Sequence, residues 1–220
     1  LWTVSPSNLP SSSPRIRDWK LLAPLQGVLT ISRNSSHDRL IRIVSGGQTG
    51  VDRAALDAAM QVGLEVGGWC PRDRRAEDGS VPEKYPLKET AARSYAVRTE
   101  WNVRDSDGTL VLVLNEITSG TRLTVNAARA HAKPLKIEYL EAAAPGGLLR
   151  EENSPTDQVN SVVDWITGHR IQVLNVAGPR GSSSRELYPR ALSFMAAVLE
   201  RWTISSADSV SRATGKRRKP

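Results

Sequence analysis

The sequence predicts an α/β domain, an open and mostly parallel sheet with helices on both faces. Three observations lead there. Strand-like apolar runs alternate with helical stretches between residues 41 and 202, the order of βα units that build a parallel sheet. Residues 109–114, Thr-Leu-Val-Leu-Val-Leu, are continuously β-branched or aliphatic, which marks a central strand buried on both faces. Three strand–loop–helix junctions carry glycine beside Ser or Thr, and in an open parallel sheet such junctions gather at the carboxyl edge.

The 220 residues suffice for one such domain with tails. Net charge is +7, but residues 1–40 hold five Lys/Arg against two Asp/Glu and residues 211–220 hold five against none. Residues 41–210 hold twenty against twenty-one. The middle of the chain is therefore close to neutral, so the basic total does not make it a nucleic-acid-binding domain. Nucleic-acid contact is expected only as non-specific attraction to the basic tail. The single cysteine, Cys70, rules out an internal disulfide framework and a Cys-built structural zinc site. No run of 18 apolar residues and no basic–apolar–small cleavage pattern occurs, so a cytoplasmic protein with no membrane partner is expected.

Residues 1–38 are rich in Ser and Pro without sustained periodicity, and read as a disordered or loosely docked extension. The ligand-binding domain is expected over 39–204, with a basic, disordered tail over 205–220. A first strand is expected over 40–45. Val51, Ala55, Ala58 and Val62 then recur at helical spacing, the buried face of a helix that Gly63 stops. A short strand over 66–69 ends at Cys70-Pro71. Residues 72–86 are polar and punctuated by Gly79, Pro82 and Pro86, a length that implies mobility or function. A helix near 87–93 is expected next, then an ambiguous stretch over 98–107 that Thr99 caps if it is helical and Gly108 ends. After the central strand come a helix over 119–131, a strand over 135–140 and a connector over 141–153. A helix over 156–167, a fifth strand over 171–177 and a last helix over 188–202 close the domain, with Pro189 in that helix's first turn.

The first junction reads Ser45-Gly46-Gly47-Gln48-Thr49-Gly50-Val51-Asp52-Arg53. A glycine turn at a helix start presents backbone N–H groups where the helix dipole also favours an anion. The second junction is Ser119-Gly120-Thr121 and the third runs from Gly178 to Ser184, with Arg122 and Arg180 close by. Together they predict a site for a phosphate-bearing ligand. The glycine spacing is not the dinucleotide fingerprint, and no Gly-Lys-Ser/Thr follows, so hydride transfer and ATP hydrolysis lose ground. Asp52 has two readings: compensating the helix dipole, or accepting a hydrogen bond from a ligand. Asp105-Ser106-Asp107-Gly108 reads as a capped turn more readily than as a Mg²⁺ site. Trp69 either stacks on a flat heterocycle or packs the core. Cys70 reads as an inert buried thiol, with no histidine near it in sequence. His37, His131 and His169 show no ligand spacing.

Several ordered blocks carry a resemblance. They are Ser45 to Asp57, Gly67-Gly68-Trp69-Cys70-Pro71, Ala76-Glu77-Asp78-Gly79, Tyr85-Pro86-Leu87, Arg98-Thr99-Glu100 through Thr109, and Asn175-Val176-Ala177-Gly178-Pro179-Arg180. Over residues 41–200 the chain resembles the molybdenum carrier family. That resemblance implies a three-layer Rossmann-like fold of the superfamily holding the LOG (lysine-decarboxylase-like) nucleotide-binding proteins. It also implies circular permutation, with the Ala177-Gly178-Pro179-Arg180 unit at the end of the chain, and a homo-oligomer. Family members are similar to a protein that binds and protects molybdenum cofactor, a molybdopterin bearing a phosphate and a dithiolene-held metal.

Two departures bear on chemistry. Gly181-Ser182 follows Gly178-Pro179-Arg180 where the family usually has Glu-Ser. Thr124 stands where the LOG phosphoribohydrolases carry a catalytic glutamate, and threonine cannot serve as that general acid/base near neutral pH. The expectation is a carrier that binds molybdenum cofactor or a nucleotide monophosphate without chemistry. The alternative is a LOG-type nucleotide hydrolase in which Glu100 or Glu116 substitutes. The candidate binding residues are Gly46, Gly47, Gln48, Thr49, Gly50, Asp52, Arg53, Trp69, Ser119, Gly120, Thr121, Gly178, Pro179, Arg180 and Ser182. No catalytic residue and no metal ligand is assigned. Of these, the first loop, Thr121 and Arg180 are expected to hold phosphate, and Asp52 and Trp69 to address the ring.

Overall fold

The structure, a computed structural model, describes residues 40, 42–140 and 154–215, with side chains through Ser206. Ile41, the extension over 1–38, the connector over 141–153 and the tail end over 216–220 lie outside the described residues. The chain runs β1 (Arg42–Val44), α1 (Val51–Gln61), β2 (Glu65–Gly67), β3 (Trp69–Cys70), β4 (Arg75–Ala76), β5 (Gly79–Ser80) and β6 (Lys88–Glu89). It continues α2 (Tyr95–Arg104), β7 (Gly108–Val113), α3 (Ser119–Ala130), β8 (Leu135–Tyr139), α4 (Pro155–Gly168), β9 (Val173–Ala177) and α5 (Leu187–Gly215).

Five strands form one sheet in the order β2-β1-β9-β7-β8, and each neighbouring pair is parallel. Strand side chains alternate between faces, and the core divides accordingly. Ile43, Leu110, Leu112, Leu174 and Val176 pack with α1, α4 and α5 residues such as Ala55, Val162, Met195 and Leu199. Val111 and Val113 pack with Val125 of α3 on the other face. This is the three-layer Rossmann-like α/β fold expected. β9, last in sequence, lies between β1 and β7. That position is the permuted order, and it brings the first and third glycine junctions side by side.

Local expectations differ from the structure in four places. The strand expected over 66–69 is broken at Gly68, whose φ of 121° turns Trp69 and Cys70 out of the main sheet to pair with β6. The helix expected near 87–93 does not form. Lys88 and Thr90 donate their N–H groups to Gly68 O and Cys70 O, at 2.9 Å each, so cross-strand pairing wins over weak local propensity. α2 begins at Tyr95 and is capped by the Ser94 hydroxyl, which accepts the Ala96 N–H; Thr99 is buried inside that helix, and Gly108 opens β7. α5 continues to Gly215 rather than stopping at residue 202.

Residues 72–87 form an ordered strap rather than an idle loop. The Arg74 guanidinium donates to four carbonyl oxygens of the strap itself: Val81 (2.9 Å), Pro82 (3.0 Å), Tyr85 (2.9 Å) and Leu87 (3.2 Å). Ala76, Val81, Tyr85 and Leu87 bury with Leu56 and Cys70 in a small second core. Asp57 of α1 completes the fastening, accepting from Lys84 Nζ (2.8 Å), Tyr85 OH (2.9 Å) and Tyr188 OH (2.7 Å).

Candidate functional site

The first and third junctions meet at the carboxyl ends of β1 and β9. Ser45 Oγ–H donates to Val176 O at 2.6 Å, tying the two strand ends together. A methyl group on Gly50, whose φ is 81°, would lie 2.7 Å from both Gly181 N and Pro179 O; only glycine permits this approach. Val51 N–H donates to Pro179 O (3.4 Å) and Gly181 N–H to Thr49 Oγ1 (3.0 Å). Gly178 is packed just as closely, against Leu112 O of β7 and Val51 of α1. These contacts make one continuous surface of the two loops.

The loop beneath is braced by its own side chains. Asp52 Oδ2 accepts the Gln48 N–H (3.2 Å), while Gln48 Oε1 accepts both the Thr49 N–H (3.1 Å) and the Glu77 N–H (2.9 Å). Asp52 is 2% exposed, and Arg98 Nη1 donates to its Oδ2 at 3.1 Å. Burial pushes the Asp52 carboxyl above its ordinary range, with the Arg98 guanidinium and the Gln48 N–H pulling it back. Asp52 thus holds the loop and Arg98 in place from below, the bracing role that was one of its two readings.

Arg98, which sequence reasoning did not single out, crosses directly over the loop. A methyl group at Gly46 would sit 1.6 Å from its Nη1. Its side chain is 13% exposed, and its Nε is the one buried side-chain nitrogen or oxygen among the described residues without a hydrogen-bond partner. Gly47 is covered by Val81 and Leu87 of the strap. Arg53 latches the strap, donating from Nε to Gly47 O (3.0 Å) and from both terminal nitrogens to Asp78 (2.6 and 2.8 Å). Gly46, Gly47 and Gly50 are all buried.

Glu77 lies where the two loops join. Its carboxylate accepts from Thr49 Oγ1, from Ser182 N (3.1 Å) and from Ser182 Oγ (2.7 Å), and Arg180 Nε stands 3.8 Å away. Its side chain is only 18% exposed. Desolvation raises the carboxyl, but the hydrogen bonds from Thr49 and Ser182 outweigh it and hold Glu77 below its usual range. Beside it the Tyr95 ring carries three guanidinium carbons, those of Arg75 (5.1 Å), Arg180 (5.9 Å) and Arg98 (6.0 Å). Cations therefore gather around this ring. Glu77, Tyr95 and Arg98 occur in or next to blocks that carried the resemblance, yet nothing in their spacing foretells that α2 and the strap converge on one loop.

Other candidates do not enter these contacts. Ser119 and Gly120 are exposed at the end of β7, beside β9, but their turn is closed on itself: Thr118 Oγ1 accepts the Thr121 N–H (3.4 Å) and lies 3.0 Å from Thr121 Oγ1. Trp69 does not join the loops. Its ring meets Trp101 edge-on at 4.7 Å, its Nε1 donates to Asp105 Oδ2 (2.8 Å), and it lines a groove of about 320 Å³ with Arg42, Val66, Lys88 and Val173. Asp107 accepts the N–H groups of Gln172 (3.0 Å) and Val173 (2.8 Å). No group of three His, Cys, Asp or Glu arranged to hold a metal occurs among the described residues. Thr124 is buried, Glu100 faces His131 at 3.5 Å, and Glu116 is exposed.

A parallel sheet with helices on both faces, and two glycine loops joined at its carboxyl edge, is a Rossmann-like α/β fold. A model of the circularly permutated YpsA SLOG family matches residues 43–199, and the chain belongs to that family. A solved structure, the "Putative molybdenum carrier protein" from Syntrophus aciditrophicus SB, is 39% identical to it with a TM-score of 0.66. That match covers 73% of this chain and 95% of the other. No curated protein matches the chain. Among the described residues, no helix is long and apolar enough to cross a membrane.

Proposed function

We propose that this protein is a carrier that holds a phosphate-bearing pterin or nucleotide-like molecule, with molybdenum cofactor the leading cargo, at the carboxyl edge of its sheet. Arg98 carries the reading. A guanidinium pinned over a glycine loop by a buried carboxylate, with a buried N–H that has no acceptor, is an anion-binding arm held ready. Thr49, Ser182 and Arg180 supply further donors on the adjoining loop, while Gln48, Asp52, Arg53, Gly178 and Pro179 shape and brace it. The family and the name of the structural relative support a molybdenum-related cargo. Holding is favoured over cleavage, because Thr124 stands where the hydrolases carry their glutamate and Glu100 is engaged beside His131. The same reading makes the protein cytoplasmic and homo-oligomeric; sedimentation of the full chain tests the second point.

Melting of the full chain tests the binding. A ligand that binds only the native state at a hundred times its Kd adds about 2.7 kcal/mol of stability. Molybdenum cofactor or AMP should therefore raise the melting temperature by several degrees, and no free base should be released from AMP. No shift with either compound would refute the carrier reading.

A further inference from the structure

The donors around Glu77 form a site of their own. Thr49 Oγ1, the Ser182 N–H and the Ser182 Oγ–H converge on one carboxylate, with the Arg180 guanidinium facing it. They come from two loops that only the fold brings together, and the acceptor comes from a third segment, the strap. The strap also buries the first glycine loop, through Val81 and Leu87 over Gly47, Glu77 N–H on Gln48 and Asp78 on Arg53. Arg98, with its partnerless buried Nε, lies against the same Tyr95 ring as Arg180. A planar carboxylate with one charge satisfies the hydroxyls and the amide, but Arg180 stands 3.8 Å from it and the Arg98 Nε–H keeps no acceptor.

We infer that Thr49, Ser182 and Arg180 form an oxyanion subsite which the protein's own Glu77 fills, and that a phosphate-class dianion enters by displacing Glu77 together with the strap. The inference rests on the carrier reading above and adds the site's gate. A tetrahedral dianion has the oxygens to take the same hydroxyls and amide, and the charge to answer Arg180 as well. Displacement breaks the Glu77 contacts and lifts the strap from Gly47, so the glycine loop opens only when the subsite is taken. While Glu77 is seated, apparent affinity falls by the fraction of molecules in the open form.

Inorganic phosphate is the probe, titrated calorimetrically into the full chain. Glu77→Gln and Glu77→Ala remove the competing charge and should each bind phosphate about tenfold more tightly than the wild type. Adding Ser182→Ala to E77Q should cancel the gain. In the wild type, saturating phosphate should accelerate amide exchange over residues 75–81, a readout that needs no variant. Equal affinity in wild type, E77Q and E77A would overturn the gate while leaving the carrier reading intact. Absence of phosphate binding in both variants would overturn the subsite; a parallel AMP titration of the same samples then shows whether the carrier reading falls with it.

Discussion

At the scale of single residues, the site is built on a buried ion pair beneath a loop that tolerates no side chain. Removing Arg98 leaves Asp52 buried without its cation, a loss that typically costs about 3–5 kcal/mol. Arg98→Ala should lower stability to chemical denaturation by that amount. The pH dependence has a definite sign. The Asp52 carboxyl is raised above 3.8 by burial, so its charge burdens the folded state increasingly as pH rises through and above that value. Without the opposing guanidinium this burden grows, and the gap between wild type and R98A should widen from pH 3.8 toward neutrality. A constant gap would mean the pair is not what Arg98 supplies. Gly50 gives a separate check. A methyl there meets backbone at 2.7 Å with φ at 81°, so Gly50→Ala should cost at least about 2 kcal/mol.

At the scale of elements, the strap is the feature least legible in the sequence. Strands buried on both faces, such as β7, declare themselves by composition, and α1, α3 and α4 are readable from apolar spacing. The strap has no period. Its order comes from one arginine bridging four of its carbonyls and from carboxylates latching it to α1, contacts that depend on tertiary placement. For the same reason residues 87–93 were expected as helix, although β3 recruits Lys88 and Thr90. Arg74→Ala removes hydrogen bonds to a charged group, each worth about 1.5–3 kcal/mol. It should speed amide exchange over residues 75–87 at least about tenfold while leaving β7 and β9 protected. The latch should also respond to acid. Glu77 and Asp78 titrate below their ordinary values of 4.5 and 3.8, so their contribution is complete above pH 4.5 and is lost as pH falls through the lowered values. Protection of the strap amides, taken relative to the intrinsic exchange rate at each pH, should stay flat from neutral pH to 4.5 and fall below.

At the scale of the whole molecule, permutation decides where the site lies. β9 ends the sequence of strands yet stands at the centre of the sheet, so Gly178 to Ser184 closes against a loop about 130 residues earlier, as the bond from Gly181 N to Thr49 Oγ1 shows. The strand pattern predicts that three glycine junctions gather at the carboxyl edge, and contacts join the first and third of them. The roles of Arg98, Tyr95 and Glu77 were not readable from it, because α2 and the strap reach the loop only in three dimensions. Trp69 illustrates the converse. It follows a strand of the main sheet in sequence, but Gly68 turns it toward a different groove. The two surfaces make opposite predictions about where a ligand touches the protein. Amide chemical-shift mapping of the full chain with AMP separates them most directly. The carboxyl-edge site predicts the largest shifts at Gly46, Thr49, Gly181, Ser182 and the α2 residues around Arg98. Shifts confined to Val66, Trp69, Lys88 and Val173, or none at all, would contradict it.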